Sequence, residues 1–232
     1  MGLILGFDTA TPATTVALAR GDEIVEARHD PAPGERPGHQ TMLLALVDRV
    51  LREGGASWED VERLAVGVGP GTFTGLRIGV ATARALAQAR GIGVVGVSTL
   101  EALAREAEAE AGAGEGRVVM AVLDARRGEA FAAAWRGDER LLDPAAFTPE
   151  ALAAAARALP APPLAAGDGA IRFRDLLEAI GADNPPDDAA VHRVTARRHC
   201  RLAVGVPVGG PDQILPEYLR LPDAQTTAQR AR

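Results

Sequence analysis

Residues 3–8 read LILGFD and residues 119–124 read VMAVLD. Each is a short apolar run of buried-strand length that ends in an aspartate, Asp8 or Asp124. An ungapped shift of 116 residues, half of the 232, superposes the two, and the same shift lays Arg20-Gly21-Asp22-Glu23 on Arg136-Gly137-Asp138-Glu139. Between them lie TTVALAR (14–20) and AFAAAWR (130–136), both readable as strands. Each half therefore opens with the same unit: a strand ending in Asp, a short polar loop, a second strand running back to a Gly-Asp turn, and a third strand (EIVEAR, 23–28; ERLLD, 139–143). The competing reading is a chance likeness of two strand-turn-strand segments. The Asp and the RGDE turn falling in one register speak for a duplication.

Outward from this unit the chain reads as α/β. A helix spans about 40–53 and stops at Gly54-Gly55. Ser57-Trp58-Glu59-Asp60 reads as a capped short helix, and LAVGVG (64–69) as a buried strand. GPGTFTG (69–75) is a Gly-rich loop before a helix at about 76–90; GVVGVS (93–98) is a strand, and a further helix begins near Thr99. In the second half Thr148-Pro149-Glu150 opens an Ala-rich helix, 160–163 is a break, the stretch after Gly181 is a loop, and about 195–204 is a helix. Residues 215–221 read as a strand. The lobes are set at 1–104 and 105–222, with 223–232 a frayed tail.

Composition narrows the class. Apolar residues make up 47% and aromatics only 3%, so the core is Ala, Val, Leu and Ile. The net charge of -6 gives nucleic acid no overall attraction, so any RNA contact must be local or made through a partner. The basic run 193–201 reads as a solvated helix face. One cysteine, Cys200, cannot staple the fold and points to a reducing cytosol. His199 and Arg201 beside it would lower a thiol pKa, but no nucleophile motif surrounds it, so it reads as structural. The N-terminus lacks a secretory pattern, and no apolar run reaches the roughly 18 residues a membrane span needs.

Two helices carry more apolar surface than a sheet-covering helix needs. In 40–53, Met42, Leu43, Leu44, Leu46, Val47, Val50 and Leu51 sweep about 200°, against the stripe of about 100° a surface helix requires. In 76–90, Gly79, Ala83 and Ala87 form one row of small residues four apart and Ala81, Ala85 and Ala89 another, beside Ile78. A Leu or Val left in water forgoes roughly 1.5–3 kcal/mol. Either the chain covers these faces itself, or a partner does; the short connections favour a partner at Met42, Leu43, Leu46, Val47, Val50, Ile78, Ala81 and Ala85, in a helical bundle.

A duplicated strand-Asp-hairpin unit resembles the actin, Hsp70 and sugar-kinase superfold, in which two lobes face each other and the strand-end Asp residues address nucleotide phosphate and metal. That resemblance implies a duplicated fold of two mixed sheets flanked by helices. It marks a degenerate nucleotide or anion site: Asp8 with Thr9 and Thr11, Gly71, Gly75 and Arg77 of the Gly-rich loop, Asp124 as the facing half, and Gly167 and Gly169 at the adenosine-side loop. ATP, ADP or Mg²⁺ are the ligands such a site, or the interface of a complex, would take; no cofactor is predicted outright. The bland reading of both aspartates is turn capping. Ala10 and Pro12 stand where active kinases place glycines. The four histidines show no i, i+3 or i, i+4 pairing, and no metal site or nucleophile motif is present.

GVGPGTFTGLRIG (67–79), with FDTATPATTVAL (7–18), VSTLEALA (97–104), LDARRGEAF (123–131), GDGA (167–170) and PEYLR (216–220), resembles the TsaB (YeaZ) family of tRNA threonylcarbamoyladenosine synthesis. The resemblance covers both halves. It implies a scaffold subunit without catalysis of its own. Its partners would be a catalytic paralogue of the TsaD type, which modifies adenosine 37 of tRNAs reading ANN codons and is held through the two oily helices, and a small P-loop ATPase of the TsaE type. It implies contact with tRNA only indirectly, and leaves the free chain as either a homodimer or a monomer. The catalytic relatives bind metal through His-x-x-x-His on the first of those helices. Here His39 is followed at that spacing by Leu43, so the motif is broken. The competing readings are a kinase-like phosphotransferase using Asp8 and Asp124 across the inter-lobe cleft, and a metallopeptidase, for which the sequence supplies no ligand set.

Overall fold

The repeated strand unit forms the spine of two separate sheets. The computed structural model describes residues 2–32, 34–112 and 116–220. In the first half β1 (Leu3–Asp8), β2 (Thr14–Arg20) and β3 (Glu23–His29) make an antiparallel meander. The chain then crosses through α1 (His39–Glu53) and a capped single turn at Trp58–Asp60 to β4 (Val61–Gly69), and through α2 (Phe73–Arg90) to β5 (Gly93–Ser98). Both crossovers return parallel strands, so the order is β3-β2-β1-β4-β5. α3 (Thr99–Glu110) leads into β6 (Val118–Arg126), β7 (Glu129–Arg136), β8 (Glu139–Phe147), α4 (Pro149–Arg157) and β9 (Leu164–Ala166), ordered β8-β7-β6-β9. Two short helices, α5 (Asp168–Arg172) and α6 (Arg174–Glu178), follow, and α7 (Ala196–Leu202) returns to the first sheet.

Local chemistry explains most boundaries. Thr148 caps α4, its hydroxyl accepting from Ala151 N at 3.3 Å, with Pro149 in the first turn. Thr72 caps α2 in the same way, which moves the helix start from the expected 76 to Phe73. Gly91 ends α2 at φ 67°, a conformation open to glycine without penalty.

The duplication is not carried through in register. Ile4 faces Ala19 and Asp8 faces Thr15 across the first hairpin. The equivalent pairing would set Met120 against Trp135. Instead Met120 faces Ala134, and the register shifts again between Asp124 and Arg126. A slip of one residue turns a strand's side chains to the opposite face. So Leu3, Leu5 and Phe7 pack under α1, while their counterparts Val119, Ala121 and Leu123 pack under α3; Met120 and Val122 pack with Leu152 of α4 instead. β7 keeps the faces of β2, Ala17 and Ala19 matching Ala133 and Trp135 on the inter-lobe side. The expectation of Asp8 and Asp124 as two facing halves is therefore corrected: they leave their sheets on opposite faces.

Other expectations change for similar reasons of packing. The lobe boundary at 104 cuts through α3, a continuous helix whose Leu100, Leu103, Ala104 and Ala107 belong to the second sheet's core. Residues 196–202 pack back on β1 and β2, so the second half is not one contiguous lobe. No strand forms at 215–220: the free edge of β5 pairs at Val94 with Gly209, and the later segment lies as irregular chain with Glu217 N donating to Val68 O at 2.7 Å. Leu221 and the tail 223–232 lie outside the described residues. The basic run 193–201 is not a solvated face. Arg197 and Arg198 both pair with Glu106, which is buried on α3, and ion pairing removes the cost of leaving that carboxylate alone in the interior. No helix among the described residues is long and apolar enough to cross a membrane.

Candidate functional site

β1 delivers Asp8 into the interior rather than to a cleft. The side chain is 1% exposed. Its Oδ1 accepts from Ala10 N (2.6 Å), its Oδ2 accepts from Thr99 Oγ1 (2.7 Å), and Oδ2 stands 2.9 Å from His199 Nε2 of α7. Burial pushes the carboxyl upward, but His199, the Ala10 amide and Thr99 more than offset it and hold Asp8 below its ordinary value of 3.8. Gly67 is the close-approach residue here: a Cβ on it would lie 1.9 Å from Asp8 Oδ2. Both oxygens of Asp8 are thus engaged by the protein.

The Gly-rich loop closes on the same hairpin. Thr9 is buried and donates to Gly75 O at 2.8 Å, and Thr72 N donates to Ala10 O at 2.8 Å. A Cβ at Gly75 would meet Thr9 O at 1.9 Å, and one at Gly71 would meet Ala10 O at 2.4 Å. These glycines admit the chain's own backbone where an anion was expected. Arg77 is engaged by aromatic side chains: its guanidinium lies 3.7 Å from the centre of the Phe73 ring and its Nε 3.4 Å from Tyr218 Oη. Thr11 alone of this group reaches the inter-lobe cleft, a space of about 240 Å³ lined also by Arg28, Asp30, Asp168 and His192.

In the second lobe Asp124 is held by Arg126 (3.2 Å) and Arg172 (3.1 Å), and its amide donates to Asp168 Oδ1 at 3.0 Å. Burial raises the Asp168 carboxyl, and the Asp124 amide offsets that in part. Gly167 and Gly169 pack on β6, with Cβ positions 2.2 Å from Val122 O and 2.7 Å from the Leu123 carbonyl carbon. The structure therefore joins Asp8, Thr9, Gly71 and Gly75 in one interior cluster and sets Asp124, Gly167 and Gly169 in another. Thr99 and His199 were missed from sequence. Their only trace there is a threonine opening a helix and a histidine in a basic run.

The residues present do not fit a metal centre. Leu43 is buried and apolar where a second ligand would stand, and His39 Nδ1 is 2.8 Å from Thr14 Oγ1. Burial lowers the His39 pKa, with Asp8 opposing in part. Among the described residues no three His, Cys, Asp or Glu side chains gather as a ligand set. Cys200 is buried too, and its thiol is pushed up to about 12 by desolvation, the opposite of what its charged neighbours in sequence suggested.

The oily-helix expectation divides. Leu43 (2% exposed), Leu46, Val47 and Val50 are covered by the first sheet. As partner contacts these four are corrected: α1 packs against β2, β3 and α2, and the four lie in that core. Met42 and Ile78 are half-buried, while Ala81, Ala85 and Ala89 face outward on α2. On α1, Leu44 is 53% exposed. It belongs to the outer set, although the sequence reading put Leu43 and not Leu44 among the partner contacts.

The sequence matches the family model described as "TsaD: tRNA N6-adenosine threonylcarbamoyltransferase" over residues 35–178. It is 41% identical over 70 residues to the tRNA threonylcarbamoyladenosine biosynthesis protein TsaB of Escherichia coli K12, a match spanning 30% of this chain and 29% of that relative's length. The structure superposes on YeaZ from Pseudomonas aeruginosa with TM-score 0.75 at 28% identity, covering 94% of this chain and 100% of that one. It also superposes on the AlfA filament protein of a B. subtilis plasmid with TM-score 0.50 at 10% identity, covering 88% of this chain and 99% of that one, a likeness of fold alone. The fold is the duplicated actin/Hsp70/sugar-kinase-like one, and the chain belongs to the family of that TsaD model and, within it, to the TsaB (YeaZ) group.

Proposed function

We propose that this chain is a partner-binding scaffold in the formation of threonylcarbamoyladenosine at position 37 of tRNAs reading ANN codons, without catalysis of its own. Its partner is a catalytic paralogue of the TsaD type, joined by a small P-loop ATPase, and tRNA is reached through that partner. The observation that carries the reading is the outer face of α2: Ala81, Ala85 and Ala89 present a smooth row to solvent, with Leu44 exposed on neighbouring α1. Small residues let a partner helix approach closely, and an exposed leucine adds apolar area for it to cover. The closed surroundings of Asp8 favour this over the kinase-like alternative, which needs that carboxylate beside a phosphate.

The test is light scattering on a gel-filtration column, with the chain alone and mixed with the catalytic paralogue. A heterodimer lost on Ala81→Glu or Ala85→Glu, with the variant's circular dichroism unchanged, supports the reading. A chain that ignores the paralogue and hydrolyses ATP by itself overturns it. The run of the free chain also reads its own oligomeric state.

A further inference from the structure

Two buried histidines of this chain differ in what their ring nitrogens face. His192 Nδ1 accepts from Gly167 N (3.2 Å), so its proton is on Nε2, which donates to Pro185 O (3.0 Å). That ring is satisfied while neutral. His199 is fully buried, and its Nδ1 lies 2.9 Å from Thr195 O, an atom that can only accept. Nδ1 therefore carries a proton. Its Nε2 faces the Asp8 carboxylate at 2.9 Å, bent away from ideal hydrogen-bond geometry, so the contact is electrostatic first. A bare nitrogen lone pair against a carboxylate oxygen already accepting from Thr99 would be repulsive.

We propose that Asp8 and His199 form a buried carboxylate–imidazolium pair, and that these two positioning residues fix the first turn of α2 through the hairpin loop 9–13. The route is short. Asp8 Oδ1 holds Ala10 N, Ala10 O holds Thr72 N, Thr72 Oγ1 accepts from Gly75 N at 3.3 Å, and Gly75 O accepts from Thr9 Oγ1. A pair of this kind is a weak source of net stability, because desolvating two charges opposes their attraction, but it specifies one arrangement. Here it ties α7, which returns from the second lobe, to the base of α2. The other titratable groups around the pair are His39 on α1, Glu26 on β3, Glu106 on α3, and Arg197, Arg198 and Cys200 on α7 itself. Of these Arg197 pairs with Glu26, Glu106 and Glu110, and Arg198 with Glu106.

The inference does not depend on any partner and is tested on the full chain alone. Long-range ¹⁵N–¹H spectra of the histidine rings at pH 7.5 should show His199 protonated on both nitrogens and His192 on Nε2 only. A His199 ring with one unprotonated nitrogen overturns the charged pair. Asp8→Asn should return His199 to a neutral tautomer, a change that a purely steric role would not produce; an unchanged doubly protonated ring counts against the pairing. Amide hydrogen exchange supplies the positioning arm. His199→Leu should speed exchange at Ala10, Thr72 and Gly75 by about tenfold or more relative to Met120 and Val122 of the second sheet. Uniform acceleration at all five amides would refute the positioning role.

Discussion

Asp8 and Asp124 end the same strand of a duplicated unit and have opposite fates. Asp8 is sealed between three elements, with a hydroxyl, an amide and an imidazole on its two oxygens. Asp124 ends the inner strand β6 with its side chain 9% exposed, under two arginines whose side chains are about half exposed. Sequence equivalence did not become equivalence of environment, because a one-residue slip between β6 and β7 turned the second strand over. Whether an aspartate here meets interior partners or arginines that reach water depends on the face it leaves the sheet from, and register sets that face.

Five measurements put this contrast at risk. The largest effect is expected at Asp8: Asp8→Asn removes the carboxylate that faces His199, leaves the ring neutral, and should lower unfolding free energy by about 2–3 kcal/mol in denaturant titration. Acid should remove part of the same interaction. The Asp8 pKa is depressed in the folded chain, so its contribution is fully present above the ordinary 3.8 and is lost as pH falls through the lower folded value. Melting temperature should therefore drop in that acid window, and the drop should be shallower in Asp8→Asn. Thr99→Val removes one donor from the carboxylate and should cost about 1–2 kcal/mol. Asp124→Asn should cost less, about 1 kcal/mol, since its nearly buried carboxyl faces arginines that can turn to water; a cost matching that of Asp8→Asn would dissolve the comparison. At the small end, Cys200, on the same sheet face as Asp8, should resist alkylation in the native chain at pH 8 and react once the chain is denatured, its thiol being buried and pushed up to about 12.

The sequence carried the element order well, since strand runs, caps and glycine stops are local signals. Thr72, Ser98 and Thr148 cap helices where Ser or Thr precedes an apolar run. The site was less legible. Gly71 and Gly75 looked like an anion cradle and prove to be contact points for the backbone of Thr9 and Ala10, because glycine marks close approach without saying what approaches. Helix α1 looked over-apolar, yet Leu43 and Val47 are covered from within, since the breadth of sheet under a helix is set by strands elsewhere in the chain.

The duplication, the α/β alternation, the broken His-x-x-x-Leu pattern at His39 and Leu43, and the motifs that mark the family are legible in the residues alone. Packing set which face of β6 looks inward, brought His199 and Thr99 onto Asp8, and left Ala81, Ala85 and Leu44 among the apolar residues that α2 and α1 expose. The physical reason is one of range. Caps, turns and periodicity are fixed by neighbours a few residues apart, whereas register, burial and ion pairing join groups distant in the chain that meet only once the sheets have packed.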